Sequence, residues 1–136
     1  MTFVGRKIRM NVKKFFEMAR NNAKKSSLYY WRLGSVIVKG NKVISNGYNR
    51  YSGDIGYIEK KYNVNLFSLH AEMDAVRNCS INENFKGAII FIAGLNRNNK
   101  KILCRPCEAC MKMLKFVGIK TIYYESPEGY EVIRFD

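Results

Sequence analysis

The stretch from residue 87 to residue 125 limits the possible folds more than any other part of the chain. "GAIIFIAGL" at 87–95 is almost wholly apolar and ends in a polar turn, "NRNNKK" at 96–101. So short an apolar run reads as a strand buried on both faces. A helix is expected from Pro106, because proline suits the first helical turn, to about Val117, where Gly118 stops it. "KTIYYE" then supplies a second strand. A strand, a helix and a strand in such quick succession can close only as a right-handed crossover between parallel strands.

The remaining elements fit around that unit. Val12, Phe15, Phe16, Ala19 and Ala23 recur at helical spacing within residues 7–25, which predicts an amphipathic helix packed by its apolar side. "LGSVIVKGNKVISNGYN" predicts strands at 33–39 and 42–48 around a turn at Gly40-Asn41. Residues 50–68 have no clean period and are expected to form a long loop. A short helix is expected at 69–79, and "GYEVIRF" forms a last strand after a turn at Ser126–Gly129. The order predicts an α/β fold, one mixed sheet covered by helices, in a single domain spanning 1–136. No apolar run approaches the 18 or so residues of a membrane span. "MTFVGRKIRMNVKKFF" also lacks the unbroken apolar stretch of a signal peptide, so a soluble intracellular, cytoplasmic protein is expected.

Chemistry concentrates in two short motifs. The chain has one histidine, His70, inside "SLHAEMDAV", and three of its four cysteines lie in "CRPCEAC" at 104–110. Without signs of export, such a cluster points to a metal or redox site rather than to disulfides. His70 is expected in the first turn of one helix, and Cys107 and Cys110 on one face of another. One imidazole and two thiolates make three ligands, the number a catalytic zinc uses while keeping a fourth position open. Glu72, two residues beyond His70, is placed to move a proton over that position.

H-x-E followed by P-C-x-x-C is the pattern of zinc deaminases acting on nucleobases. On "HAE" and "PCEAC" the chain resembles the cytidine and deoxycytidylate deaminase superfamily, which includes deaminases of tRNA adenosine and of cytosine in polynucleotides. The resemblance runs from the hairpin at 33–48 through "GIKTIYY" and implies a three-layer α/β/α sandwich with a five-stranded mixed sheet. It implies zinc held by His70, Cys107 and Cys110, with Glu72 as the proton shuttle. It also implies that Asn49, at the end of "GYN", touches the bound nucleoside and that the Ala71 N–H faces the base carbonyl. A helical link between the last family strands, as the helix from Pro106 supplies here, resembles the deoxycytidylate and tRNA deaminase branch more than the free-cytidine branch. The implied reaction replaces the C4 amino group of cytosine by oxygen, giving uracil and ammonia.

Some features qualify the substrate. Arg105 precedes Pro106 where tRNA adenosine deaminases usually carry an acid, which disfavours adenosine. Residues 50–68 hold no Cys or His, so the extra zinc site of some deoxycytidylate deaminases is missing there. The formal charge of +13 favours phosphates or nucleic acid. Its cations cluster on the first helix (Lys7, Arg9, Lys13, Lys14, Arg20, Lys24, Lys25), in the long loop (Arg50, Lys60, Lys61) and before the cysteine motif (Arg97, Lys100, Lys101, Arg105). Tyr51, Tyr57, Tyr62 and Phe67 in the loop offer rings for stacking on bases or for packing the loop down. The expected substrate is a cytosine nucleotide such as dCMP, with cytosine in single-stranded DNA or RNA as the alternative. Homo-oligomers occur among superfamily members. A non-enzymatic reading recruits Cys104 as a fourth ligand and makes the site a closed structural zinc in a basic nucleic-acid-binding module.

Overall fold

A computed structural model describes residues 10–28, 30–50, 60–61, 69–79 and 84–135. Helix α1 (Val12–Ala23) comes first, and the side chain of Asn11 caps it by accepting from the Lys14 N–H at 3.0 Å. That cap fixes the start at Val12; residues 7–9 of the expected helix lie outside the described residues. Strands β1 (Arg32–Lys39) and β2 (Lys42–Tyr48) form the predicted hairpin. Gly40 and Asn41 at its tip have φ of 58° and 63°, which matches the twist of the flanking strands. Helix α2 (Ala71–Asn78), strand β3 (Ile89–Leu95), helix α3 (Glu108–Val117) and strands β4 (Thr121–Ser126) and β5 (Gly129–Arg134) complete the order.

The five strands form one sheet in the order β2-β1-β3-β4-β5. β3 and β4 are parallel, as the crossover requires, and the other neighbours are antiparallel. The turn at Pro127 and Glu128 joins the last two strands, within the turn expected at Ser126–Gly129. A two-residue connection leaves room only for a hairpin. Helix α3 links β3 to β4, where the sequence led a helix to be expected.

Helices cover both faces. On one, Phe15 and Phe16 of α1 meet Phe91 with ring centroids 5.2 Å away, and Tyr123 stacks on Phe91 at 4.7 Å. On the other, Met73 of α2 and Met113 and Leu114 of α3 pack on Ile37, Ile90, Ile92 and Ile122. The result is the expected three-layer α/β/α sandwich. β1 and β3 read as apolar runs because helices bury both their faces.

Gly47 sets how closely α2 lies on the sheet. A Cβ there would stand 2.3 Å from the Ala71 carbonyl oxygen and 2.4 Å from the Ala75 nitrogen, so only glycine fits. Ser35 donates to the Ala71 carbonyl at 2.8 Å, and the Ser45 hydroxyl donates to the Ala75 carbonyl. The hairpin thus holds the N-terminal turn of α2 in place, immediately after His70.

Candidate active site

Two helix starts meet beyond the C-terminal ends of β3 and β4. His70 is the N-cap of α2 and Cys107 the N-cap of α3, so each stands one position before its helix. The helix expected from Pro106 therefore begins at Glu108. The Cys107 sulfur takes the capping role, accepting from the Cys110 N–H at 3.4 Å. This brings the three side chains together: His70 Nδ1 lies 3.2 Å from Cys110 Sγ and 3.5 Å from Cys107 Sγ. All three donor atoms fall within 4.8 Å of one another.

That spacing fits a zinc ion. With bonds of about 2.1 Å to nitrogen and 2.3 Å to sulfur, tetrahedral N and S ligands stand about 3.6 Å apart. The protonation pattern fits as well. The hydrogen bond from the Cys110 thiol, with a further one from His70, lowers Cys107 to about 4. Cys110 is pushed well up by its contact with Cys107 and by burial. His70 is raised, chiefly by its hydrogen bond to Cys107, against the opposing effect of burial. The two sulfurs thus share one negative charge, and a divalent cation is what would let both ionise.

Glu72 follows in the first turn of α2. It is 3% exposed, and its Oε1 is buried with no hydrogen-bond partner. Burial raises its pKa, while His70 draws it down. A carboxyl that is buried, half-unsatisfied and poised to hold a proton suits general acid–base work.

The other predicted residues fall around this group. Ala71 is the first residue of α2, where a helix leaves its N–H without an intrahelical acceptor. Asn49 is buried and engaged by backbone: its Oδ1 accepts from Leu33 N–H and its Nδ2 donates to the Trp31 carbonyl, both at 2.8 Å. One Nδ2 hydrogen remains over. Arg105 is exposed and donates to the Tyr124 hydroxyl at 3.2 Å. Cys104 is buried and donates to the Ile102 carbonyl at 3.2 Å, and its sulfur stands apart from the cluster of His70, Cys107 and Cys110. The closed four-ligand site therefore lacks its fourth ligand.

Arg50 is not a free loop cation. It makes two bonds to the wholly buried carboxylate of Asp74, at 2.7 and 2.8 Å, and stacks 4.5 Å over the Tyr48 ring. Asp74 also accepts from the Tyr48 N–H at 3.0 Å and from Arg77 at 3.1 Å. The backbones of Arg50 and Leu69 pair beside this knot, one residue before His70. Sequence reasoning passed over Asp74, Ser35, Ser45 and Gly47. The available signal was two serines interrupting otherwise apolar strands. Of the expected basic loop, Lys60 and Lys61 are exposed, while Tyr51, Tyr57, Tyr62 and Phe67 lie outside the described residues, as do Lys7 and Arg9.

Three side chains that could hold a metal at paired helix starts, with a buried acid in the next helical turn, match the class of zinc-dependent deaminases. The sequence profile of the cytidine and deoxycytidylate deaminase zinc-binding region matches residues 9–126, and the chain belongs to that family. It is a hydrolytic deaminase with zinc as cofactor. No curated protein sequence matches it. Among solved structures, cytidine deaminase from Burkholderia pseudomallei superposes with a TM-score of 0.66 at 16% identity, covering 92% of this chain and 93% of that one. The dCMP deaminase from the cyanophage S-TIM5, in complex with dCMP and dUMP, gives 0.59 at 22% identity, covering 87% and 83%. Guanine deaminase from Bacillus subtilis gives 0.54 at 19% identity, covering 86% and 65%. These likenesses establish the fold. Among the described residues no helix is long and apolar enough to cross a membrane.

Proposed function

We propose that this enzyme deaminates the cytosine base of a nucleotide such as dCMP, yielding the uracil nucleotide and ammonia. The observation that carries the reading is the buried Glu72 carboxylate, one oxygen unpartnered, beside the trio of His70, Cys107 and Cys110. Those three residues would hold the zinc, which would supply a nucleophile by lowering the pKa of water to about 7. Glu72 accepts a proton as the new C4–O bond forms and delivers one to N3. It then carries the proton of the new C4 hydroxyl to the amino group, so that the C4 oxygen becomes a carbonyl as the C4–N bond breaks and ammonia leaves. The low polarity around Glu72 keeps it protonated long enough to act as the acid. The Ala71 N–H faces the base carbonyl oxygen, and Asn49 offers its remaining Nδ2 hydrogen to the sugar. Arg105 stands at the rim, where its charge meets phosphate. Support for a nucleotide comes from the chain's +13 charge and from the cyanophage dCMP deaminase, whose structure holds dCMP and dUMP.

The test is Glu72→Gln. It should keep one zinc per chain and lose turnover of dCMP by roughly a hundredfold or more. Uracil formation at a near-normal rate would remove Glu72 from the mechanism. Incubating the zinc-loaded protein with dCMP, cytidine and guanine ranks the substrates, and the cytosine reading fails if guanine is the one turned over.

A further inference from the structure

Beyond the C-terminal ends of β3 and β4, two clefts lie side by side and share Lys101 as a wall. The first, about 520 Å³, is apolar; it is lined by Trp31, Leu33, Ile102, Leu103 and Pro127. Trp31 is 58% exposed and Leu103 59% exposed, an unusual cost for two large apolar side chains on one patch. The second, about 510 Å³, is basic, with Arg20, Lys24 and Lys101 against the single acid Glu17 in its lining. Behind it the buried Glu125 pairs with Arg20 and lies 3.7 Å from Lys101, which fixes both cations at the mouth. Lys24 has no acidic partner among the described residues. Leu103, in the lining of the apolar cleft, stands four residues before Cys107 in the chain.

An exposed indole next to a row of fixed cations is how proteins hold single strands: the ring stacks on a base and the cations follow the phosphates. We propose that the two clefts form one track for a single-stranded polynucleotide, Trp31 stacking a base and Lys101, Arg20 and Lys24 meeting the phosphates beyond it. This deepens the reading of a cytosine-bearing substrate and rests on it for the chemistry. A free nucleotide needs only one or two cations and no second stacking platform. A second copy of this chain is the competing occupant for an exposed aromatic patch. The charge argues against it: each copy carries +13, and the cations at the patch would face their own kind.

Trp31 is the only tryptophan, so its emission reports on the apolar cleft alone. Zinc-loaded protein is titrated with twelve-nucleotide single strands of DNA and of RNA, with the DNA duplex, and with dCMP. The track predicts saturable quenching by at least one single strand, at a midpoint at least tenfold below that of dCMP per base. The plot of log affinity against log salt should have a slope of about −2, from three phosphate contacts at about −0.7 each. Whichever strand binds more tightly identifies the sugar the track accepts. With a labelled oligonucleotide followed by anisotropy, Trp31→Ala should weaken binding about tenfold, and Lys24→Gln should flatten the salt slope by about 0.7.

Unchanged emission under saturating oligonucleotide overturns the proposal. So does a duplex that binds as tightly as the single strand, because paired bases offer no free face. Sedimentation showing a dimer whose formation shifts Trp31 emission, with no competition from oligonucleotide, assigns the patch to a second copy instead. None of these readouts needs turnover. Loss of the track with retained dCMP deamination therefore refutes only the track, and binding without uracil formation refutes only the deaminase substrate.

Discussion

Replacing Asp74 by alanine should destabilise the enzyme by about 2 kcal/mol. The carboxylate is wholly buried and receives two bonds from Arg50, one from Arg77 and one from the Tyr48 N–H. Removing one partner of a buried ion pair typically costs about 3–5 kcal/mol, because the other is left charged and unpaired. Here the stranded guanidinium groups are 24% and 30% exposed, so water recovers part of that loss and about 2–3 kcal/mol remains. Alanine is the better helix former inside α2, which offsets about 0.5 kcal/mol. An unfolding entropy of about 2.1 cal/mol/K per residue over 136 residues turns 2 kcal/mol into a fall of about 7 °C in Tm. Thermal unfolding of the zinc-loaded protein measures it. Arg50→Ala combined with Asp74→Ala should cost about as much as Asp74→Ala alone, since both changes break one network. A drop under 2 °C, or strictly additive losses, would show that Asp74 does not carry the joint between the hairpin and the segment entering His70.

Three further outcomes follow from the same geometry. Gly47→Ala drives a Cβ to 2.3 Å from the Ala71 carbonyl, so α2 must lift; zinc content after purification should fall well below one per chain. Cys104→Ser leaves the metal trio intact, and both zinc content and turnover should stay near normal; loss of metal would revive the four-ligand reading. In zinc-stripped protein, Cys107 at about 4 is ionised above that pH, so its alkylation rate should stay nearly flat from pH 8 down to 5 and fall only below about 4. A rate that drops tenfold per unit below pH 8 would indicate an ordinary thiol.

Sequence alone determined the parts of this protein that depend on neighbours along the chain. The apolar run at 89–95 and the helix ending at Gly118 fixed the parallel crossover, and Gly40-Asn41 fixed the hairpin. The spacing within "HAE" and "PCEAC" marked the three side chains that the fold brings together and the buried acid near them, because capping and ligation both act within one helical turn. Tertiary structure decided what depends on contacts between distant segments. It made Cys107 a cap rather than a first-turn residue, tied Arg50 to Asp74, and engaged the Asn49 amide with Trp31 and Leu33. A charge or an amide looks the same in sequence whether it faces substrate or a buried partner. Only packing selects between those fates, because desolvation forces a buried polar group to be satisfied by whatever the fold brings beside it.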